Sequence, residues 1–308
     1  MLDALELLTS LLAFGVVTTS NQLAHLLRSL LQNVAVAALG LCLGAAASDG
    51  GETFGGAGLA LLLSATAFLI QWAAWLPSFL ARTERFYDLV GSVTYQAIAV
   101  AAVFATKTRD ARTLMLTAMV FVWAIRLGTF LFRRVHQTGK DGRFDEIKND
   151  WARFLLAWTT QGLWIVVTVS AALAAITSGH KQPIGVVGVI GALVWAAGFA
   201  VEVAADRQKA SFRADRANEG RFITNGLWSL SRHPNYVGEF MLWTGVAIVS
   251  LPALYGWQHL TLISPIFVYV LLTRISGIPI LERRADQRWG DDPDYQTYKE
   301  ATPIFLPF

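Results

Sequence analysis

One cysteine, Cys42, stands among the 308 residues, so neither a disulfide nor a thiolate-clustered metal site forms within the chain. Charge is scarce as well: Asp, Glu, Lys and Arg make up 15% of the sequence, against 54% hydrophobic residues. That balance excludes an ordinary soluble enzyme. Met1 to Val17 contains no Lys or Arg but carries Asp3 and Glu6. It therefore lacks the basic start of a secretory signal and the arginine-rich character of a transit peptide. No nucleic-acid-binding motif and no internal repeat is visible, so no nucleic-acid partner is expected.

What the chain has is long apolar runs. A helix needs roughly 20 mostly apolar residues to cross a bilayer, where it alone among open-ended structures satisfies its own backbone. Seven segments qualify: Phe54 to Leu80, Phe86 to Thr106, Thr113 to Phe132, Phe154 to Thr177, Ile184 to Ala204, Val237 to Leu251 and Leu260 to Ile280. The sixth is short, and its start is placed nearer Pro234, since proline is tolerated in a first helical turn. Leu23 to Ala47 reads as one extra span with Arg28 snorkelling at one end, and Met1 to Val17 as an interfacial helix. Ser48 to Gly58, with five glycines, reads as a flexible linker. The expected fold is all-α: a polytopic membrane helical bundle of about seven core transmembrane helices plus one or two N-terminal helices. Residues 1–53 are set apart as an N-terminal extension, a route to membrane-complex partners, and residues 54–308 as the main transmembrane domain.

Sorting Lys and Arg by alternate loops puts nineteen on one side and four, Lys107, Arg109, Arg112 and Lys181, on the other. The positive-inside rule then predicts an integral multi-pass protein with its C-terminus on the cytoplasmic or equivalent side. The net charge of +3 follows from this topology.

The conspicuous polar residues fall near the basic loops. Arg126 lies inside the third span, where a charge at mid-bilayer costs roughly 2.5 to 3.5 kcal/mol; it faces protein or an anionic ligand, or else snorkels to the surface. The charged loop from Arg133 to Asp145 reads as a solvated face that meets lipid headgroups. Glu202 and Asp206 sit four residues apart at the end of the fifth span, with Lys209, Arg213, Arg216 and Arg221 beyond. Then Arg232-His-Pro-Asn-Tyr236 runs through Gly238 and Glu239 into a helix. A helix N-terminus flanked by Arg232, His233 and Arg213 is an anion site. Asn235, Glu239 and Trp243 share one face of that helix, and polar groups there demand partners or a cavity. The constellation points to a ligand pocket, although His233 alone reads better as a helix cap or headgroup contact than as a chemical group.

Asn225 to Gly245, with the tail segments Ile275 to Glu282 and Tyr295 to Pro303, resembles the steroid 5-alpha-reductase superfamily, and specifically its bacterial-type branch, DUF1295. A shorter version of the Arg232-to-Tyr236 signature also occurs in isoprenylcysteine carboxyl methyltransferases. The resemblance implies a bundle that takes NADPH from the cytosolic side and reduces a C=C bond in a sterol, polyprenoid or other lipid, with membrane lipids and a lipid-like small molecule as partners. By the same resemblance Arg126, Asp206, Arg213, Arg221 and Asn235 match cofactor-lining positions and Arg274 matches one more loosely. Arg232, His233 and Tyr236 join them through the signature. Two positions depart from the reductase pattern: Trp75 and Trp123 stand where that family has a glutamate and a tyrosine. An indole transfers no proton near neutral pH, so acid candidates shift to Glu239, Tyr95, Tyr87 and Asp88, the last equally explained as a helix-start carboxylate. Two alternatives stand beside the reductase: an S-adenosylmethionine-dependent membrane methyltransferase, and a non-catalytic lipid-binding or accessory subunit.

Overall fold

The computed structural model describes residues 26–138 and 144–306, without the side chains of 132–138. The interfacial helix expected over Met1 to Val17, and most of the charged loop ending at Asp145, lie outside the described residues. Among those described, eight helical stretches are long and apolar enough to cross a membrane. They are α1 (Leu26–Ala47), α2 (Leu59–Leu80), α3 (Tyr87–Ala105), α4 (Ala111–Thr138), α5 (Trp151–Thr177), α6 (Val186–Ala214), α7 (Pro234–Ser250) and a broken last span. The protein is thus a polytopic helical membrane bundle. α7 starts at Pro234, as its sequence suggested.

The last span breaks for a local reason. A 3-10 segment, Gly256–Leu262, leads into α8 (Ile263–Val270), a π-helical turn over Leu271–Ile275, and then α9 (Ile278–Trp289). Pro279 sits in the first turn of α9, where it needs no hydrogen bond from its own nitrogen. α10 (Pro293–Ala301) closes the described chain.

α5 is the axis of the bundle: 78% of its apolar window is buried, against 22% for α6. α1 docks on α2 and α5 through polar as well as apolar contacts. Thr159 Oγ1 donates to Asn33 Oδ1 at 2.6 Å and accepts from Trp72 Nε1 at 3.0 Å. A Cβ on Gly40 would lie 2.7 Å from the Phe68 ring, so α1 approaches α2 closely there.

The stretch from Ser48 to Gly58 is not a flexible linker. Its glycines make a turn: Gly55 and Gly56 take φ of +59° and +84°, joining β1 (Thr53–Phe54) to β2 (Ala57–Gly58) in an antiparallel hairpin. Glu52 accepts from the Lys107 amide at 2.6 Å and from Thr106 Oγ1 at 2.8 Å, and Asp49 accepts from the Trp257 amide at 2.8 Å. Burial alone would raise the Glu52 pKa, but the Lys107 amide and the Thr106 hydroxyl outweigh it and hold the carboxyl below its usual value. At the other end, Lys148 pairs with Glu84 at 2.9 Å and so joins the loop after α2 to the loop before α5. Alternate loops therefore gather at opposite ends, and the loops rich in Lys and Arg share one of them.

The closest helix pair is α6 with α7. Gly191 and Gly198 face Gly245 and Gly238, and an added Cβ at any of the four would come within 2.7 Å of the opposite backbone. The seven-residue spacing on both helices places small residues along one seam, which lets the backbones approach closely.

Candidate functional site

That seam sets the geometry of the site. α6 continues in helical register past its apolar part to Ala214, so Glu202 and Asp206 stand one turn apart on one face. Opposite, a Cβ on Gly238 would lie 2.6 Å from the Glu202 amide nitrogen, which draws the neighbouring Glu239 in against the same place. α4 supplies the cation: the Arg126 guanidinium bridges Glu202 and Asp206, one nitrogen to each, and its far side lies over the Phe130 ring at 5.5 Å. The side chains of Arg126, Glu202 and Asp206 are 17%, 4% and 11% exposed. Arg126 therefore faces protein rather than snorkelling to a headgroup. The second oxygen of Glu202 is buried and accepts no hydrogen bond. Glu239 lies within the electrostatic reach of Arg126 and Asp206, and although enclosed by protein it keeps accessible surface. The cluster holds three carboxyl groups around the Arg126 guanidinium, and Lys209, three residues on from Asp206, adds a second positive charge within reach of Asp206.

The Arg232-to-Tyr236 signature forms a second, adjoining cluster. Arg232 Nη1 and His233 Nε2 share the Glu282 carboxylate on α9, at 3.0 and 2.8 Å. The Arg232 amide donates to the Pro303 carbonyl at 2.9 Å, and the His233 ring stacks on Tyr236 at 5.7 Å. Burial pushes the His233 pKa down, opposed by its bond to Glu282. Tyr298 donates to the Trp228 carbonyl at 2.6 Å, and burial raises its pKa to about 12. Trp228 in turn donates from its indole to the Ala205 carbonyl at 3.1 Å, and Lys209 lies over its ring at 4.2 Å. The signature thus clamps the N-terminus of α7 to α9, α6 and the tail. Beside the clamp, His233 Nδ1 and Asn235 Oδ1 are buried without a hydrogen-bond partner. An open groove of about 550 Å³ runs from Arg232 past Ser229 and Leu230 to Lys299 and Ile304.

Of the residues the sequence singled out, the structure brings Arg126, Asp206 and Glu239 into one cluster and Arg232, His233, Asn235 and Tyr236 into the other. Arg213 is exposed on the last turn of α6. Arg221 and Arg274 are exposed and make no ion pair among the described residues. Asp88 occupies the first turn of α3. Tyr87 donates to the Ala157 carbonyl at 3.0 Å and packs on Phe144 and Trp158, which ties the start of α3 to α5. Tyr95 is buried against Trp123 and Trp243, with ring centroids 5.0 and 6.2 Å away. Trp75 stacks on Phe79 in a separate aromatic cluster. Two contributors received no role from the sequence: Glu282, though it lies in a segment that carried the resemblance, and the glycine seam, whose spacing of seven was there to be counted.

With this geometry in place, comparison with known proteins assigns the family. Residues 74–302, from the middle of α2 through α10, match the family model described as "Protein of unknown function (DUF1295)". The chain belongs to the DUF1295 family. Both polar clusters lie inside the DUF1295 match, whereas α1 and the hairpin precede it. A 117-residue stretch is 29% identical to a protein of Ustilaginoidea virens named "Probable O-methyltransferase ustE". That alignment covers 38% of this DUF1295 chain and 39% of the relative's length. No solved structure matches the chain significantly.

Proposed function

We propose that this DUF1295 protein is a membrane methyltransferase that takes S-adenosylmethionine at the Arg126–Glu202–Asp206–Glu239 cluster and methylates an oxygen of a lipid-soluble acceptor. The observation that carries this reading is charge. In a low-dielectric interior, three carboxyl groups against Arg126 and the neighbouring Lys209 favour a cationic, donor-rich ligand over a polyanionic one. S-adenosylmethionine offers a sulfonium, an ammonium, ribose hydroxyls and an adenine amino group. Orphaned acceptors at Glu202 Oε2 and Asn235 Oδ1 suit those donors. The partial match to a protein named as an O-methyltransferase supports the same choice.

When bound, the sulfonium supplies an electrophilic methyl group, which passes to the acceptor oxygen as the carbon–sulfur bond breaks and a neutral thioether is left. This chain's part is to orient and to take the proton. Arg126 fixes Glu202 and Asp206, the Glu239 carboxylate accepts the proton lost by the acceptor oxygen, and the close α6–α7 seam keeps bulk water out. The cluster lies toward the basic end, the cytoplasmic or equivalent side by the positive-inside rule.

A second reading has one observation in its favour. The run Lys209, Arg213, Arg216, Arg221 spans the end of α6 and the segment after it on the same side, and such a run suits the phosphates of NADPH for lipid reduction. Calorimetric titration of the detergent-solubilised full chain separates the two. S-adenosylmethionine and its demethylated product should bind, and Glu239→Gln should weaken the sulfonium ligand about tenfold, the loss of roughly one charge-assisted contact. Binding of NADPH without binding of S-adenosylmethionine would overturn the methyltransferase reading in favour of the reductase.

A further inference from the structure

Buried hydrogen-bonding groups without partners are uncommon in folded proteins, because each carries the full desolvation penalty. In a membrane span there is no bulk water to relieve it. Four such groups stand together on four helices of this bundle: the Tyr95 hydroxyl on α3, the Trp123 indole N–H on α4, the Thr168 hydroxyl on α5 and the Trp243 indole N–H on α7. These residues are 6%, 2%, 1% and 1% exposed. They form one patch. Trp123 meets Tyr95 and Trp243 edge to face at 5.0 and 4.8 Å, and Tyr95 and Thr168 bring their hydroxyls near one another without a well-formed hydrogen bond.

The patch has a fixed relation to the carboxylate cluster. Arg126 follows Trp123 by three residues on α4, and Glu239 precedes Trp243 by four on α7. α4 runs toward the basic end and α7 away from it, so both offsets are one helical turn in the same direction. The donors therefore lie one turn deeper in the bundle than the ions, on the side facing its apolar core.

We propose that Tyr95, Trp123, Thr168 and Trp243 form the acceptor-oxygen site of this protein, binding a phenol or carboxylic acid head carried on an apolar body. The inference rests on the methyltransferase reading for the fate of the oxygen: its methyl arrives from the sulfonium, and its proton leaves to Glu239 one turn away. The indoles only donate, so they select a molecule with free oxygen lone pairs over a hydrocarbon of the same shape. The Tyr95 and Thr168 hydroxyls both donate and accept, so they accommodate either head.

Native mass spectrometry of the full chain in detergent, titrated with 4-octylphenol and with octylbenzene in the absence of any cofactor, tests the site. The wild-type protein should prefer octylphenol about tenfold or more. Trp123→Phe with Trp243→Phe keeps aromatic packing and removes both indole donors, and the preference should collapse toward unity. If that pair does not fold, Tyr95→Phe alone should reduce the preference severalfold. An unchanged preference in the folded variants, or none in the wild type, overturns the proposal and leaves the orphaned donors to an internal water. Titration of S-adenosylmethionine on the same samples keeps the two ideas apart. A surviving octylphenol preference with no sulfonium binding removes the methyl-transfer reading alone, and sulfonium binding without the preference removes only the acceptor site.

Discussion

Gly238 on α7 meets Glu202 on α6 backbone to backbone, so closely that a Cβ at Gly238 would lie 2.6 Å from the Glu202 amide nitrogen and equally near the Gly198 carbonyl. One glycine thereby does two things. It lets the helices pack at small-residue distance, and it sets Glu202 and Glu239 side by side from different helices. The same seam continues at Gly245, where a Cβ would come within 2.6 Å of the Gly191 carbonyl, one heptad farther from the ions.

Alanine at either glycine should therefore destabilise the bundle by about 1–3 kcal/mol, because backbone cannot yield as a side chain tip would. Only Gly238→Ala should also weaken ligand binding at the carboxylates, by spreading Glu202 from Glu239. Thermal unfolding in detergent measures the first effect and calorimetry the second. Equal ligand affinity in the two variants would show that the seam serves packing alone.

Arg126→Met should be among the most damaging single changes. It leaves Glu202 and Asp206 buried without their shared cation, a situation that costs about 3–5 kcal/mol. Adding Glu202→Gln and Asp206→Asn removes the uncompensated charge and should restore much of the stability without restoring sulfonium binding. A triple variant no more stable than Arg126→Met would mean that the guanidinium acts through something other than these carboxylates.

Much of this was legible in the chain. Length and apolarity located the spans, because a bilayer imposes one length scale on every crossing helix, and Pro234 marked the true start of α7 because proline fits a first turn. The i, i+4 spacing of Glu202 and Asp206 announced a shared face on α6. What the sequence hid was pairing between elements. Arg126 looked free to snorkel until α6 supplied its carboxylates 76 and 80 residues away. Arg232 and His233 looked like an anion site until Glu282 filled it from α9. The glycines of Ser48–Gly58 looked like flexibility because composition does not distinguish a floppy linker from a turn that needs positive φ; the Glu52 and Asp49 side chains settle which it is.

The burial of His233 beside Glu282 predicts a pH dependence with a definite sign. Burial lowers the His233 pKa from its ordinary 6.5, so the folded state holds the ring neutral while the unfolded chain protonates. A group with a depressed folded pKa contributes stability that is present above the unfolded value and lost as pH falls through the folded one. The unfolding temperature should accordingly drop as pH decreases below 6.5. Glu282 opposes the shift, while Lys209 and Arg232 add to it. His233→Gln should flatten that limb of the stability profile. A profile equally steep in the variant would assign the loss to carboxylates elsewhere.

Arg112 supplies a contrast at the opposite end of the molecule. It is 1% exposed and satisfies its guanidinium on backbone carbonyls: Gln182 at 3.3 Å, Pro183 at 2.6 Å, and Val249. It thereby ties the start of α4 to the loop before α6 and to the end of α7. The sequence offered it only as one of four loop charges on the less basic side. Replacing it with Met strands three carbonyls and should cost about 2–4 kcal/mol. Lysine should not rescue it, since an ammonium on one stem cannot span three acceptors that a planar fork reaches together. Because the carboxylate cluster lies toward the other end of α4, ligand affinity in Arg112→Met should stay at the wild-type value below the lowered unfolding temperature. A loss of affinity there would mean that the two ends of α7 are coupled, with Val249 and Glu239 moving as one rigid element.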